Sequence, residues 1–290
     1  MLGREMLPTI SIIIPTYNSE RVIVSCLKAL MRQDYPIDKF EAIVVDNCSK
    51  DNTNSISQKL GARVFTVTGN PSQGCVQRNL GAQKSRFDYL FFLDHDMEMS
   101  DDLLKDFARK VNETKRKVDA WYVPEKIIGK SYFMTKIRTF ERSFYNGTVV
   151  DAARIIKKER FYKTKQYDTS LSSGPADWDM DIQLKATGCT FGIIDQCVYH
   201  HEDHLSLIKY ITKKTQYNRG GEIYHEKWQN NKTVYNKIIR KQYSARYRLV
   251  QVFFENLKWK MVAKNFHKYI IVFALRLFVG IMYKVKKEKK

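Results

Sequence analysis

The chain has 290 residues, 43% hydrophobic and 13% aromatic, which is enough to bury a sizeable core and excludes disorder over most of its length. Its formal charge of +19 is unevenly spread: Leu205 to Lys290 holds 21 lysines and arginines against four acids, so the last third carries nearly all of the excess. MLGREMLPTI offers no apolar secretory block, and Cys26, Cys48, Cys75, Cys189 and Cys197 form no metal-binding pair; together these read as a chain kept in a reducing cytosol.

In chain order, Ile10 to Ile14 is a β-branched run stopped by Pro15, and Glu20 to Arg32 places Ile23, Cys26, Leu27, Leu30 and Met31 at helical steps. Ala42 to Val45 is a second strand closed by Asp46, followed by a polar SKDNT turn and a short helix ending near Gly61. Arg63 to Thr68 reads as a strand, Gln73 to Ser85 as a helix and Tyr89 to Leu93 as a fourth strand. Alternation of this kind predicts an α/β fold with a mostly parallel sheet flanked by helices. Ligands bind such sheets beyond the carboxyl ends of the strands, where Thr16, Tyr17, Asp46, Asp94 and Asp96 lie. Further on, Asp119 to Ile128, Val149 to Ile156 and Thr190 to Ile194 read as strands.

A dinucleotide-binding dehydrogenase would need a glycine-rich turn after the first strand, and Pro15-Thr16-Tyr17-Asn18 has none. Without bare backbone amides to hold a diphosphate, Asp94 and Asp96 at the end of FFLDHD suggest a divalent cation, Mg²⁺ or Mn²⁺, shared between carboxylates and substrate phosphates. His95, between them on the strand, reads as a spacer pointing away.

SIIIPTYNSE at 11–20, AIVVDNCSKDNT at 42–53, GCVQRNLGAQKS at 74–85, FFLDHD at 91–96 and ADWDMDIQLKATG at 176–188 resemble, in order and spacing, the blocks of the family 2 glycosyltransferases. The resemblance implies a GT-A fold, similar to a Rossmann sheet, and inverting transfer of a hexose or N-acetylhexosamine from a UDP- or GDP-linked donor. It implies that Pro15, Thr16, Tyr17, Asn18, Asp46, Asn47, Arg78, Asn79 and Asp94 line the nucleotide-sugar site, with Asp46 and Arg78 near the base. It assigns Asp94 and Asp96 to the metal, with His200 or His201 as the histidine ligand and His204 behind them. In the fifth block it places the general base on Asp177, with Trp178 and His201 on the acceptor side; Ala176 stands where the family usually has a glutamate. A positioned carboxylate suits this task, because a sugar hydroxyl is a poor nucleophile until its proton is removed. The bland reading is that Asp177 and Asp179 favour a helix N-terminus. Lys165-Gln166-Tyr167-Asp168 resembles the family's Gly-Gly-Phe-Asp turn with both glycines replaced.

From Leu205 the chain turns to helices crowded with Lys, Arg, Tyr and Trp. Leu249, Val250, Phe253, Phe254, Leu257 and Met261 make an apolar stripe, and Tyr269 to Tyr283 is apolar except for Arg276, too short to cross a bilayer of about 20 residues' span. An apolar run beside basic residues predicts a monotopic helix on an anionic membrane; the rival is a helical cap on the core, and a nucleic-acid surface is the competitor from another class.

These readings predict a GT-A domain over 7–204 and a basic helical membrane-docking region over 205–290. The expected activity is transfer of a sugar to a hydroxyl of a polyprenyl-linked saccharide at the cytosolic membrane face, in polysaccharide or glycan biosynthesis, including protein glycosylation. The alternative is transfer to polyprenyl phosphate, as in dolichyl-phosphate-sugar synthases. That acceptor is already an anion and needs no base.

Overall fold

The computed structural model describes residues 7–68, 74–114, 117–171, 173–202 and 219–288. The expected 204/205 boundary and His204 lie outside them. The chain folds into two compact units, one of Met1–Pro124 with Ala152–His200, the other of Glu125–Asp151 with His201–Lys290.

In the first unit, β1 (Ile10–Thr16) is buried at every residue, as a central strand of a sheet covered on both faces must be. It pairs in parallel with β2 (Phe40–Asp46) and β4 (Tyr89–Phe92), and β2 pairs in parallel with β3 (Arg63–Thr66). The register sets Thr16 opposite Asp46, so both leave the sheet together. Between the strands run α1 (Glu20–Met31), α2 (Thr53–Lys59) and α3 (Gly74–Lys84). α1 buries Ile23, Cys26, Leu27 and Leu30 as expected, whereas Met31 faces solvent. α3 lies so close to β1 that a Cβ on Gly81 would sit 2.3 Å from Ile13 Cγ2, and only glycine permits that approach.

After β5 (Met97–Met99) and α4 (Leu103–Glu113), the sheet becomes mixed. β8 (Ala153–Lys157) runs antiparallel to both β4 and β6 (Ala120–Tyr122), and β9 (Phe191–Ile193) closes the edge parallel to β6. The order is β3-β2-β1-β4-β8-β6-β9. β10 (Val198–His201) pairs antiparallel with β5, setting His200 opposite Met97. Helices α6 (Lys158–Phe161) and α7 (Ser173–Ala186) complete this unit. The single strand expected over Asp119 to Ile128 is divided: β6 ends at Tyr122 and β7 (Glu125–Ile128) starts after Pro124, which has no amide to give a ladder. The strand expected from Val149 begins only at Ala153.

The second unit differs from the expected 205–290 because Glu125–Asp151 belongs with it. This segment contains α5 (Tyr132–Ser143), a helix absent from the sequence reading. Phe144, just after α5, packs on Phe140 and Phe253 with ring centroids 4.9 and 4.7 Å away, and Lys258 Nζ donates to Phe144 O at 2.7 Å. The long helix Phe266–Glu288 belongs to the same unit.

Candidate active site

The loops after β1 and β2 are tied together by short polar side chains. Asp46 is fully buried; its oxygens accept from Thr16 Oγ1 at 2.8 Å, Ser49 N at 2.7 Å, Ser49 Oγ at 2.5 Å and Asn54 Nδ2 at 3.1 Å. Four donors satisfy a buried carboxylate, so Asp46 shapes the loop. Asn18, at φ 47°, accepts from Lys50 N through its side chain at 2.9 Å and donates from its own N to Ser49 Oγ at 2.8 Å. Asn47 N donates to Thr16 O at 3.0 Å, while Tyr17 and Asn18 remain exposed at the rim. Gln77, unremarked in the sequence, is buried in α3 and donates to Thr16 O and Val45 O at 2.8 and 2.6 Å, fixing α3 to both strand ends.

Arg78, the next residue on α3 after Gln77, reaches the end of β4. Its Nη2 donates to Asp94 Oδ1 at 2.9 Å, and its guanidinium lies over the Tyr167 ring, 5.5 Å from the centroid. Burial works against its charge, but Asp177 and Asp94 outweigh that and hold its pKa above the usual guanidinium range. Arg78 thus pairs with the expected donor carboxylate and lies within Coulombic reach of the expected base. Arg154, on β8, is a residue the sequence reading missed: its Nη1 is 3.5 Å from Asp94 Oδ2. Burial would raise the Asp94 pKa, yet Arg78 and Arg154 bring it down to about 2. No local signal marks Arg154, because the antiparallel insertion of β8 beside β4 is what delivers it.

Asp96 points elsewhere. Its Oδ2 lies 3.3 Å from His200 Nε2, a proximity that follows from the β5–β10 pairing. Burial is opposed by the His200 hydrogen bond, and the net effect lowers the Asp96 pKa. His201, next on the strand, falls on the opposite face by the period-two alternation. His95 Nδ1 lies 3.1 Å from Pro15 O, so this spacer also braces the end of β1. Among the described residues, no group of three or more His, Cys, Asp or Glu side chains converges on one point that could hold a metal ion. Asp96 and His200 are nevertheless adjacent oxygen and nitrogen donors, which fits a Mn²⁺ or Mg²⁺ ion taking its remaining ligands from donor phosphates and water.

The fifth block forms α7. Asp177 is half-buried within Coulombic reach of Arg78, and Trp178 follows it, also half-buried. The neighbouring acids are structural: Asp179 Oδ2 accepts from Gln183 Nε2 at 2.6 Å, while Asp181 accepts from Tyr122 OH at 2.7 Å and from Ala153 N at 3.0 Å. Asp181 thereby fastens α7 to the strand that carries Arg154. Asn79 and Tyr167 exchange bonds, with Tyr167 N donating to Asn79 Oδ1 at 3.0 Å and Asn79 Nδ2 to Tyr167 O at 2.8 Å. Gln166, in the altered Gly-Gly-Phe-Asp turn, keeps a left-handed φ of 61°.

A mostly parallel sheet whose carboxyl edge gathers two arginines, two strand-end aspartates and a helix-borne carboxylate is the GT-A architecture of nucleotide-sugar transferases. The chain belongs to glycosyl transferase family 2, whose model matches residues 11–174. It is 36% identical over 107 residues to the poly(ribitol-phosphate) beta-N-acetylglucosaminyltransferase TarS of Staphylococcus aureus (strain Mu50), a match covering 36% of this chain and 19% of that protein. The crystal structure of S. aureus TarS 1–349 in complex with UDP-GlcNAc superposes with a TM-score of 0.55 at 18% identity, covering 97% of this chain and 92% of that one. The mannosyltransferase PcManGT from Pyrobaculum calidifontis, in complex with GDP-Man and Mn²⁺, gives 0.61 at 17% identity, covering 97% and 87%. At these identities the structures establish the shared fold.

Proposed function

We propose that the protein transfers a sugar, with inversion, from a UDP- or GDP-linked donor to a hydroxyl of a polyprenyl-linked saccharide at the cytosolic face of a membrane. The observation that carries this reading is Arg78, held by Asp94 at 2.9 Å and within Coulombic reach of Asp177, so that one largely buried cation lies near both a donor-side carboxylate and a carboxylate able to act as base. Asp177 accepts the proton of the acceptor hydroxyl; the hydroxyl oxygen bonds to the anomeric carbon as its bond to the diphosphate oxygen breaks, and the diphosphate leaves with the electron pair. Arg78 and Arg154 put positive charge where that diphosphate gathers negative charge. Asp96 and His200, with Asp94 at the edge, would hold a Mn²⁺ or Mg²⁺ ion, which supplies Lewis-acid stabilisation of the leaving group when bound. Tyr17, Asn18 and Asn47 line the nucleoside side, while Trp178 and His201 are assigned to the acceptor.

The donor classes are supported by the family and by relatives whose complexes contain UDP-GlcNAc and GDP-Man. The membrane setting is supported by the basic excess after Leu205. A thermal-shift series with UDP-GlcNAc and GDP-Man, with and without Mn²⁺, tests the reading: a true donor raises the melting temperature in a metal-dependent way, and no response to any nucleotide sugar overturns it. Polyprenyl phosphate as acceptor becomes the better reading if Asp177→Asn transfers sugar at the wild-type rate.

A further inference from the structure

The helix Phe266–Glu288 is built inside out. From Phe266 to Met282 its charged residues are Lys268 and Arg276 alone. The Arg276 side chain is 9% exposed: Nε donates to Glu141 Oε1 at 2.8 Å, the other nitrogens reach Arg248 O and the Tyr145 hydroxyl, and the guanidinium lies 4.8 Å from the Phe253 ring centroid. Lys268 Nζ donates to Asn265 Oδ1 at 2.9 Å. The face turned outward is apolar: Phe266, Ile270, Leu277, Phe278, Ile281 and Met282 are each 41–58% exposed, and three-, four- and seven-residue steps link them into one broad stripe along the helix. A helix at the surface of a protein in water normally does the opposite, with charge outward and apolar residues inward. Nearby, Leu257 is 71% and Trp259 48% exposed, and Asn256 and Leu257 both have left-handed φ, 55° and 62°, a conformation non-glycine residues rarely adopt.

We infer that this outward face is a membrane-docking surface that lies in the headgroup and upper acyl region of an anionic bilayer, entering a single leaflet. No helix among the described residues is long and apolar enough to cross one. Charge selects lipid over a second copy of the chain: the region from Leu205 carries 21 basic residues against four acidic ones, so two such regions repel each other while an anionic leaflet attracts either. Lys260 and Lys264, both exposed on the helix that precedes this one, add cations beside the apolar stripe. Arg276 is the device that fixes the helix's rotation, because its bonds to Glu141 and Tyr145 form only with the apolar face turned out.

This inference deepens the membrane setting proposed above and rests on it. The test uses the full chain and flotation with phosphatidylglycerol–phosphatidylcholine vesicles, comparing wild type with a Leu277→Glu/Ile281→Glu variant. The bound fraction is expected to fall at least tenfold, with the melting temperature and its shift by UDP-GlcNAc or GDP-Man unchanged. Equal flotation of the two proteins overturns the surface while leaving the transferase reading intact. A wild-type dimer that the variant converts to monomer, seen by light scattering, also overturns it in favour of self-association. Lack of any donor response alongside the expected loss of flotation would count against the transferase reading alone.

Discussion

Arg78 in the first unit and Arg276 in the second are both largely shielded and paired, and the two are used in opposite ways. Arg78, in the first unit, is 12% exposed at its side chain, pairs with Asp94, lies over the Tyr167 ring and feels the charge of Asp177, a carboxylate from a separate element. Arg276, in the second, is 9% exposed and closed in by Glu141, Tyr145, the Arg248 carbonyl and the Phe253 ring. Both charges are compensated, as burial demands. The difference lies in the partners: those of Arg78 are the carboxylates assigned to donor and acceptor in the proposed function, whereas Arg276 is committed to its own unit. A buried arginine therefore marks a site only where its partners are themselves candidates for chemistry.

The sharpest way to break this contrast is Arg276→Met. Removing the cation strips Glu141 of one partner, while Arg138 keeps its other oxygen, so a loss of about 3 kcal/mol is expected in urea unfolding. A variant of unchanged stability would mean Arg276 is no lock. Asp177→Asn acts on the other side of the contrast: transfer should drop at least about a hundredfold, close to 2.7 kcal/mol, with donor binding by calorimetry preserved. If donor binding disappears instead, Asp177 works through Arg78 rather than on the acceptor. Gly81→Ala drives a Cβ against Ile13 and displaces the helix that carries Arg78, so it should cost about 1–3 kcal/mol and weaken donor binding together. Stability lost with donor affinity intact would show that the Arg78 site tolerates movement of α3.

The smallest effect concerns acid. Glu41, 5% exposed at its side chain, accepts from Ser11 Oγ at 2.7 Å and from Arg63 Nη1 at 2.7 Å; burial opposes its charge, but these bonds and the Arg86 amide lower its pKa. A depressed carboxylate pKa contributes stability above the unfolded value, about 4.3, that is lost as pH falls through the folded value. Glu41→Gln should therefore flatten the stability profile below about pH 4.3 while leaving the Arg78 site untouched. An unchanged acid limb would remove Glu41 from that account.

Much of the first unit was legible in the sequence. Apolar runs, rich in β-branched residues in β1 and β2 and in aromatics in β4, made the central strands legible, and the stripe from Ile23 to Leu30 did the same for α1, because period and burial are local properties. The aspartates at strand ends were legible because a carboxylate closing an apolar run needs a partner. What their partners are was not legible. Asp94 faces Arg78 and Arg154, residues 16 and 60 positions away in the chain, and Asp96 faces His200 across an antiparallel pair. The polar face of α5 interrupts the hydrophobic pattern, and the packing of Phe144 on Phe253, which joins Glu125–Asp151 to the second unit, has no local trace in the sequence.

The sequence by itself determined the family, the central strands and which residue types stand at the carboxyl edge, since order, spacing and hydrophobic period are written along the chain. Only the tertiary structure decided that Asp46 is a sealed loop brace, that Arg78 and Arg154 share Asp94, and that Arg276 turns inward and sends an apolar face out. The physical reason is the same in each case: a buried charge is stabilised by whichever counter-charge folding brings within a few ångströms, and that distance is set by strand pairing and helix packing rather than by separation in sequence.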